Sequence, residues 1–324
     1  MSNSGGPLRV VITGASSGIG QATAELFAAH GAHLMLAARN AEALEQVADA
    51  CRAAGGRATA VPTDVTDSGA VQELAQRAVT ELGGVDVWFS NVGVGAVGRY
   101  LDTPIAAHHR VVESSLLGHM NDAHAAVPIF IEQGHGVFIN MISLGGFAAA
   151  PFAAAYSAAK FGLRGFAEAL RAELAAHPHI HICDVYPGFV DTPGLRHGAN
   201  YVGRRISAPP PVLDARRVAA AIVRLADKPK PTTTIGVSAV LTRATHVVAP
   251  AAMTRAMARL MDIYFRRAEW VGTSDGSIFE PVPDAAVIDG GLRKPGRRAA
   301  GVALAALAGA TGLAAATRRA AART

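Results

Sequence analysis

The chain has 324 residues, half of them apolar, which is enough for one large α/β domain or a domain with an appendage. Its formal charge of +5 comes from one end: residues 293–324 hold seven basic side chains and no acid, leaving −2 for the rest, and this excludes a core built to bind nucleic acid. Cys51 and Cys183 cannot make a disulfide framework and read as inert thiols of a reducing compartment; Met1–Pro7 is short, polar and glycine-rich, unlike a secretory leader, so a cytoplasmic location is expected.

A strand at 8–13 and a helix near 18–30 come first. "LRVVI" is short, apolar and β-branched, whereas "QATAELFAAH" repeats Ala22, Leu26 and Phe27 at helical spacing. Between them stands "TGASSGIG", with Gly14, Gly18 and Gly20 in a G-x3-G-x-G pattern. Such a strand-to-helix turn aims backbone N–H groups at an anion and lets a phosphate approach closely. The same turn also serves as a plain tight connection. Strands follow at 33–38, 57–62, 86–90, 136–142 and 180–186, separated by helices near 41–54, 67–82, 104–133 and 155–176. Apolar strands alternating with helices predict an α/β fold, a doubly wound parallel sheet of Rossmann type. In that architecture ligands gather at the carboxyl ends of the strands.

Two further signals sit at strand ends or just beyond them. In "AYSAAKFG", Tyr156 and Lys160 are four apart and share a helix face. A phenol ionises near pH ~10, and a neighbouring cation favours the phenolate, so such a tyrosine could pass a proton to or from a substrate oxygen. A surface helix could carry the same pair by chance. Ser143 closes "GVFINMI" thirteen residues earlier. Its hydroxyl could steady charge on that oxygen, or be an ordinary strand-end serine.

Taken together, "TGASSGIG", the "SNVG" after the fourth strand, Ser143 and "YSAAK" resemble the short-chain dehydrogenase/reductase family, over residues 8 to about 240. The resemblance implies that Gly14, Ser16, Ser17, Gly18, Ile19 and Gly20 wrap a cofactor pyrophosphate, and that Asp64 and Val65 meet the adenine. It implies that Asn91 and Gly93 support the fourth strand and the cofactor, and that Pro187, Gly188, Val190 and Thr192 orient the nicotinamide. Ser143, Tyr156 and Lys160 become the catalytic centre, the last two also touching the cofactor. The implied activity is interconversion of an alcohol and a ketone or aldehyde by hydride transfer, with Tyr156 as general acid/base, Ser143 as hydrogen-bond donor and Lys160 lowering the tyrosine's pKa. A dinucleotide-binding scaffold with little turnover is the alternative. The second strand ends "LAARN", with no acid for a ribose 2′-OH. Arg39 there suits a 2′-phosphate, unless it points to solvent, so NADP(H) is expected over NAD(H). One departure stands out: Ser115 occupies the place of the family's helix asparagine, which puts a water-borne proton relay in doubt.

After Thr192 the pattern loosens into a Pro-, Gly- and Arg-rich loop over the site. A helix at 214–227, a last strand "TTTIGVSA" and amphipathic helices within 240–268 follow, and then "GTSDGSIFEPVPDAAVIDGG", a linker or surface-wrapping segment. The expected division is a catalytic domain at 1–240, a helical and wrapping extension at 241–292 and a basic tail at 293–324. Residues 299–317 carry no charge and would make a helix of about 28 Å, near the ~30 Å of a bilayer core. They read equally as a membrane-surface attachment or as a frayed Ala-rich helix. Phe147, Phe152 and Phe189 hint at a lipophilic pocket. "HPHIH" (His177, His179, His181) lacks companion ligands, so no metal is expected, and His108, His109 and His197 read as loop or solvent residues. Expected partners are a small carbonyl or alcohol substrate and a second copy of the chain, with no nucleic acid.

Overall fold

Seven apolar, β-branched runs pair into one sheet in the computed structural model of the protein, which describes residues 6–283 and 286–293. The strands are β1 (Arg9–Thr13), β2 (His33–Ala38), β3 (Arg57–Pro62), β4 (Val87–Ser90), β5 (Gly136–Met141), β6 (Ile180–Pro187) and β7 (Thr232–Ile235). They lie in the order β7-β6-β5-β4-β1-β2-β3, every pair parallel. Val10 of β1 is in register with Leu34 on one side and Val87 on the other. The strand order reverses there, and a crevice opens beyond Thr13 and Ser90.

Both faces of the sheet are covered, which is why the strands show no polar alternation. Val10, Ile12, Leu34 and Leu36 pack against α1 (Gly18–Ala29), α2 (Ala41–Ala53) and α8 (Ala215–Asp227). Val11, Met35, Trp88 and Phe138 pack against α3 (Ser68–Leu82), α5 (Gly118–Gln133) and α6 (Ala154–Glu173). The helices start where a short polar side chain takes up the orphan amides: Asn40 accepts from Ala43, Asp67 from Gly69 and Ala70, and Asp214 from Arg216.

Three expectations change in detail. The last strand stops at Ile235, because Gly236 takes φ +96° and turns the chain into α9 (Val237–Val248), so residue 240 lies inside a helix. The helix expected over 104–133 is α4 (Ile105–Val112), a π-helical turn at Glu113–Leu117, and α5. A third expectation changes at a strand end: the strand expected over 180–186 runs one residue further, to Pro187, and holds His181 alone of the three clustered histidines. The loop after Thr192 holds the short α7 (Gly194–His197). Beyond α10 (Pro250–Arg267) the chain turns back as a strap, 277–283 and 286–293, along the carboxyl edge of the sheet. Among the described residues no helix is long and apolar enough to cross a membrane; residues 299–317 lie outside them.

Candidate active site

Gly14, Gly18 and Gly20 shape the turn between β1 and α1. Gly14 takes φ +67° with the Asn91–Val92 backbone only 3.1 Å from where a Cβ would stand, and a Cβ on Gly20 would collide with the Gly14 carbonyl. Asn91 Nδ2 donates to Gly14 O at 3.0 Å and ties the turn to the end of β4. Ser17 is the N-cap of α1 but makes no side-chain cap bond, and the first turn holds no acid. The amides of this N-terminus are therefore not neutralised by side chains, as an anion site requires. Ser16, Ser17 and Ile19 are half-buried along the turn, and Thr192 sits over Gly18, with its methyl 3.1 Å from a Cβ built there. Pro187 ends β6, Gly188 donates its amide to Ile235 O, and Val190 and Ile19 pack against the same cluster of Ala22, Ala215 and Ala219. The expected pyrophosphate and nicotinamide residues thus meet around one crevice.

Ser143, Tyr156 and Lys160 meet at its floor. Ser143 follows β5 with φ +112°, a strained value for a residue with a side chain, and its Oγ accepts from Gly145 N at 3.3 Å. Gly145 leaves room for Tyr156, whose Cε1 lies 3.3 Å from a Cβ built on that glycine. Lys160, on the buried face of α6, donates from Nζ to Met141 O at 2.9 Å, and Nζ stands 5.8 Å from the centre of the Tyr156 ring. Gly93 lines the same corner: its would-be Cβ is 3.7 Å from Lys160 Nζ and 3.9 Å from Ser115 Oγ. The electrostatics differ from the simple cation–phenol picture. Burial raises the Tyr156 phenol, opposed by its hydrogen bond with Ser143, and burial lowers Lys160 to about 7. Sequence spacing conveys neither desolvation. Ser115 spends its hydroxyl on Val94, accepting from its N–H at 3.1 Å and donating to its carbonyl at 3.0 Å.

At the far end of the crevice, Asp64 accepts from Thr66 and, at 2.7 Å, from Arg110. Burial would raise its carboxyl, but those bonds outweigh burial and hold it low. Val65 turns its side chain inward against Gly118 and offers the crevice only backbone. Arg39 is half-buried, and its guanidinium already has partners. Its guanidinium donates to the carbonyls of Ser277 at 2.5 Å and Phe279 at 2.9 Å, both on the strap.

Arg110 and His119 escaped the sequence reading. Arg110 has no motif around it, and its partners Asp64, Thr66 and Ile278 O are distant in the chain. His119, one turn after Ser115, is fully buried, with Nδ1 2.7 Å from Asn140 Oδ1 and Nε2 2.6 Å from Val92 O. Burial, helped by Lys160, pushes its pKa down to about 3, against the two hydrogen-bond partners, which favour the protonated ring. The i, i+4 spacing from Ser115 was the only available signal. His108 is buried and stacked on Tyr100 rather than solvent-facing. Phe147 stacks on Tyr186 in the core and Phe152 packs edge-on to Phe265 of α10, so these two do not form a shared pocket wall.

The chain is similar to known proteins over the same region. The short chain dehydrogenase family model matches residues 9–199, more than half of the chain. An uncharacterized oxidoreductase of Bacillus subtilis, YxnA, is 32% identical over 78% of this chain and 72% of its own. The ketoacyl reductase HetN of a Nostoc species is 33% identical over 62% of this chain and 68% of its own. Among solved structures, an alcohol dehydrogenase of the archaeon Thermococcus sibiricus, complexed with 5-hydroxy-NADP, superposes with a TM-score of 0.62 at 24% identity. It covers 70% of this chain and 96% of that one, a likeness of fold. The chain belongs to the short-chain dehydrogenase/reductase family and is an oxidoreductase on a Rossmann-type sheet.

Proposed function

We propose that the protein is an NADP(H)-dependent reductase or dehydrogenase that interconverts a ketone or aldehyde with the corresponding alcohol. The observation that carries this is the convergence of Ser143, Tyr156 and Lys160 beside a glycine turn whose amides no side chain caps. The residues present fit a dinucleotide: the glycine turn carries no side-chain cap, which suits a pyrophosphate, and Arg39 offers a guanidinium to a 2′-phosphate once its contacts to Ser277 O and Phe279 O are released. When bound, the nicotinamide supplies or accepts the hydride at the carbon. In the reductive direction Tyr156 gives its proton to the carbonyl oxygen, and Ser143 donates a hydrogen bond to the same oxygen as charge develops there. Lys160, held by Met141 O, would hold the ribose of the bound cofactor and return a proton to Tyr156. A protonated phenol, the state that burial enforces, is the state that reduction requires.

The test is absorbance-monitored turnover of the full chain with NADPH, then NADH, across a panel of ketones and aldehydes. The expected result is NADPH oxidation, with Tyr156→Phe slower by at least about 10²-fold and Arg39→Ala raising KM for NADPH more than for NADH. Binding of NADPH without turnover, together with no effect of Tyr156→Phe, would assign the protein to the scaffold class instead.

A further inference from the structure

The crevice already has a tenant from its own chain. Gly18, the first residue of α1, donates its amide to Val287 O at 2.9 Å. Arg39 donates to Ser277 O and Phe279 O, and Asn40 Nδ2 to Val282 O at 2.9 Å. These are donors from both ends of the dinucleotide site, one from the glycine turn and two from the end of β2. The strap is anchored as well as placed. Ile278 is fully buried beside Ala107 and Val111, with its carbonyl accepting from Arg110. Ile288 is 8% exposed between α1 and α8, against Ile19, Ala22, Ala215 and Ala219. Gly290 lies directly on Thr192, where a Cβ would strike the Thr192 backbone. Asp191 then accepts from the amides of Leu292, at 2.7 Å, and Arg293.

Resting on the functional reading above, we infer that residues 277–283 and 286–292 are an internal competitor for NADP(H), which the cofactor displaces by taking over Gly18 N–H and the Arg39 guanidinium. One amide hydrogen points at one acceptor, so Val287 O and a phosphate oxygen cannot both hold Gly18. The exchange is favourable in kind: every strap acceptor here is a neutral carbonyl, whereas the phosphates are anions, and charge-assisted hydrogen bonds are about twice as strong as neutral ones. The opposing cost is exposure to water of the Ile288 side chain, which is buried between α1 and α8. The strap therefore tunes affinity without sealing the site.

The experiment uses the full-length protein and NADPH, with binding followed by nicotinamide fluorescence. Ile288→Asp unseats the strap from α1 and α8 and touches no catalytic residue; of the proposed cofactor residues it meets only apolar side chains, Ile19 among them, and no donor that would hold a phosphate. Its dissociation constant for NADPH should be lower than that of the wild type by about tenfold or more. Ile278→Asp, at the other anchor, should act in the same direction. In the wild type, saturating NADP+ should increase amide hydrogen exchange in residues 286–293 while protecting residues 13–20. Unchanged or weaker NADPH binding in both variants, or protection of 286–293 on binding, would make the strap a clamp or a bystander and overturn the inference. If neither wild type nor variants bind NADPH, the cofactor reading itself falls, a result that strap behaviour alone cannot produce.

Discussion

Lys160 and Asp122 show what burial does to single groups that a sequence can only name. Lys160 titrates at about 7 in the free protein because its ammonium is desolvated. The charged form, present below that value, is lost above it, and kcat/KM reports ionisations of the free enzyme. Carbonyl reduction should therefore fall in kcat/KM as pH rises through about 7, and Lys160→Arg, which cannot lose its proton in this range, should keep its residual activity level from pH 6 to 9. A profile identical in wild type and variant would remove Lys160 from the proton path. Asp122 is wholly buried, with Thr13 and Ser90 hydroxyls each 2.6 Å from Oδ2, and burial raises it to about 7 despite those bonds. Its folded pKa lies above its unfolded one, so the stability it contributes is complete below about pH 4 and drains away up to about 7. Asp122→Asn, which has no proton to lose, should flatten that slope, as urea midpoints at pH 5 and 8 would reveal; equal slopes would exclude Asp122 as its source. The spacing of Tyr156 and Lys160 placed both on one face of α6, as the structure has them. The direction of their shifts depends on how much water α6 and β5 exclude, which spacing does not encode.

At the level of elements, the glycine turn is a local device and was legible because its constraints are local. Gly20 faces the Gly14 carbonyl across the turn, with Asn91 Nδ2 2.9 Å from its would-be Cβ. Gly20→Ala must push backbone against backbone, an overpacking that costs about 1–3 kcal/mol. It should lower the melting temperature and abolish NADPH binding together. An alanine variant that binds normally would mean that the turn tolerates a wider loop. The strands and most helices were legible for the same reason, since burial on both faces leaves continuous apolar runs and caps leave Asn40, Asp67 and Asp214 at the starts. Elements defined by tertiary meetings were not. Arg110 of α4 meets Asp64, just beyond β3, only through a contact distant in sequence, and His119, just past the π-helical turn, meets the Val92 carbonyl in the same way. Phe147 looked like a pocket residue in sequence and is core, because Tyr186, itself on β6, offers it a stacking partner.

Over the whole molecule, two classes of contact hold the chain. The sheet is sealed by two continuous apolar layers, whose opening requires global unfolding. The strap is held by Ile278, Ile288 and a cluster of charges, so it is the part that opens at lower cost. The cluster centres on Asp191, whose side chain is 3% exposed and accepts from Leu292 N, Arg293 N and, at 3.1 Å, Arg293 Nε. Arg293 also reaches Asp214 at 2.6 Å and Asp289 at 3.0 Å, and Arg216 joins both acids. Burial would raise Asp191, but these donors outweigh it and hold the carboxyl below its usual range. Its contribution is thus present above the unfolded carboxylate pKa and lost as pH falls through the lower folded value. Asp191→Asn keeps one acceptor oxygen but removes the charge, leaving Arg293 with the two more exposed acids, where ion pairs are weak and salt-screened. Amide exchange at Leu292 and Arg293 should rise by about tenfold or more in this variant, while exchange within β1, β4 and β5 stays at the wild-type rate. Acceleration of strap and sheet by the same factor would mean that the two open as one unit, and that the strap is part of the domain's own core.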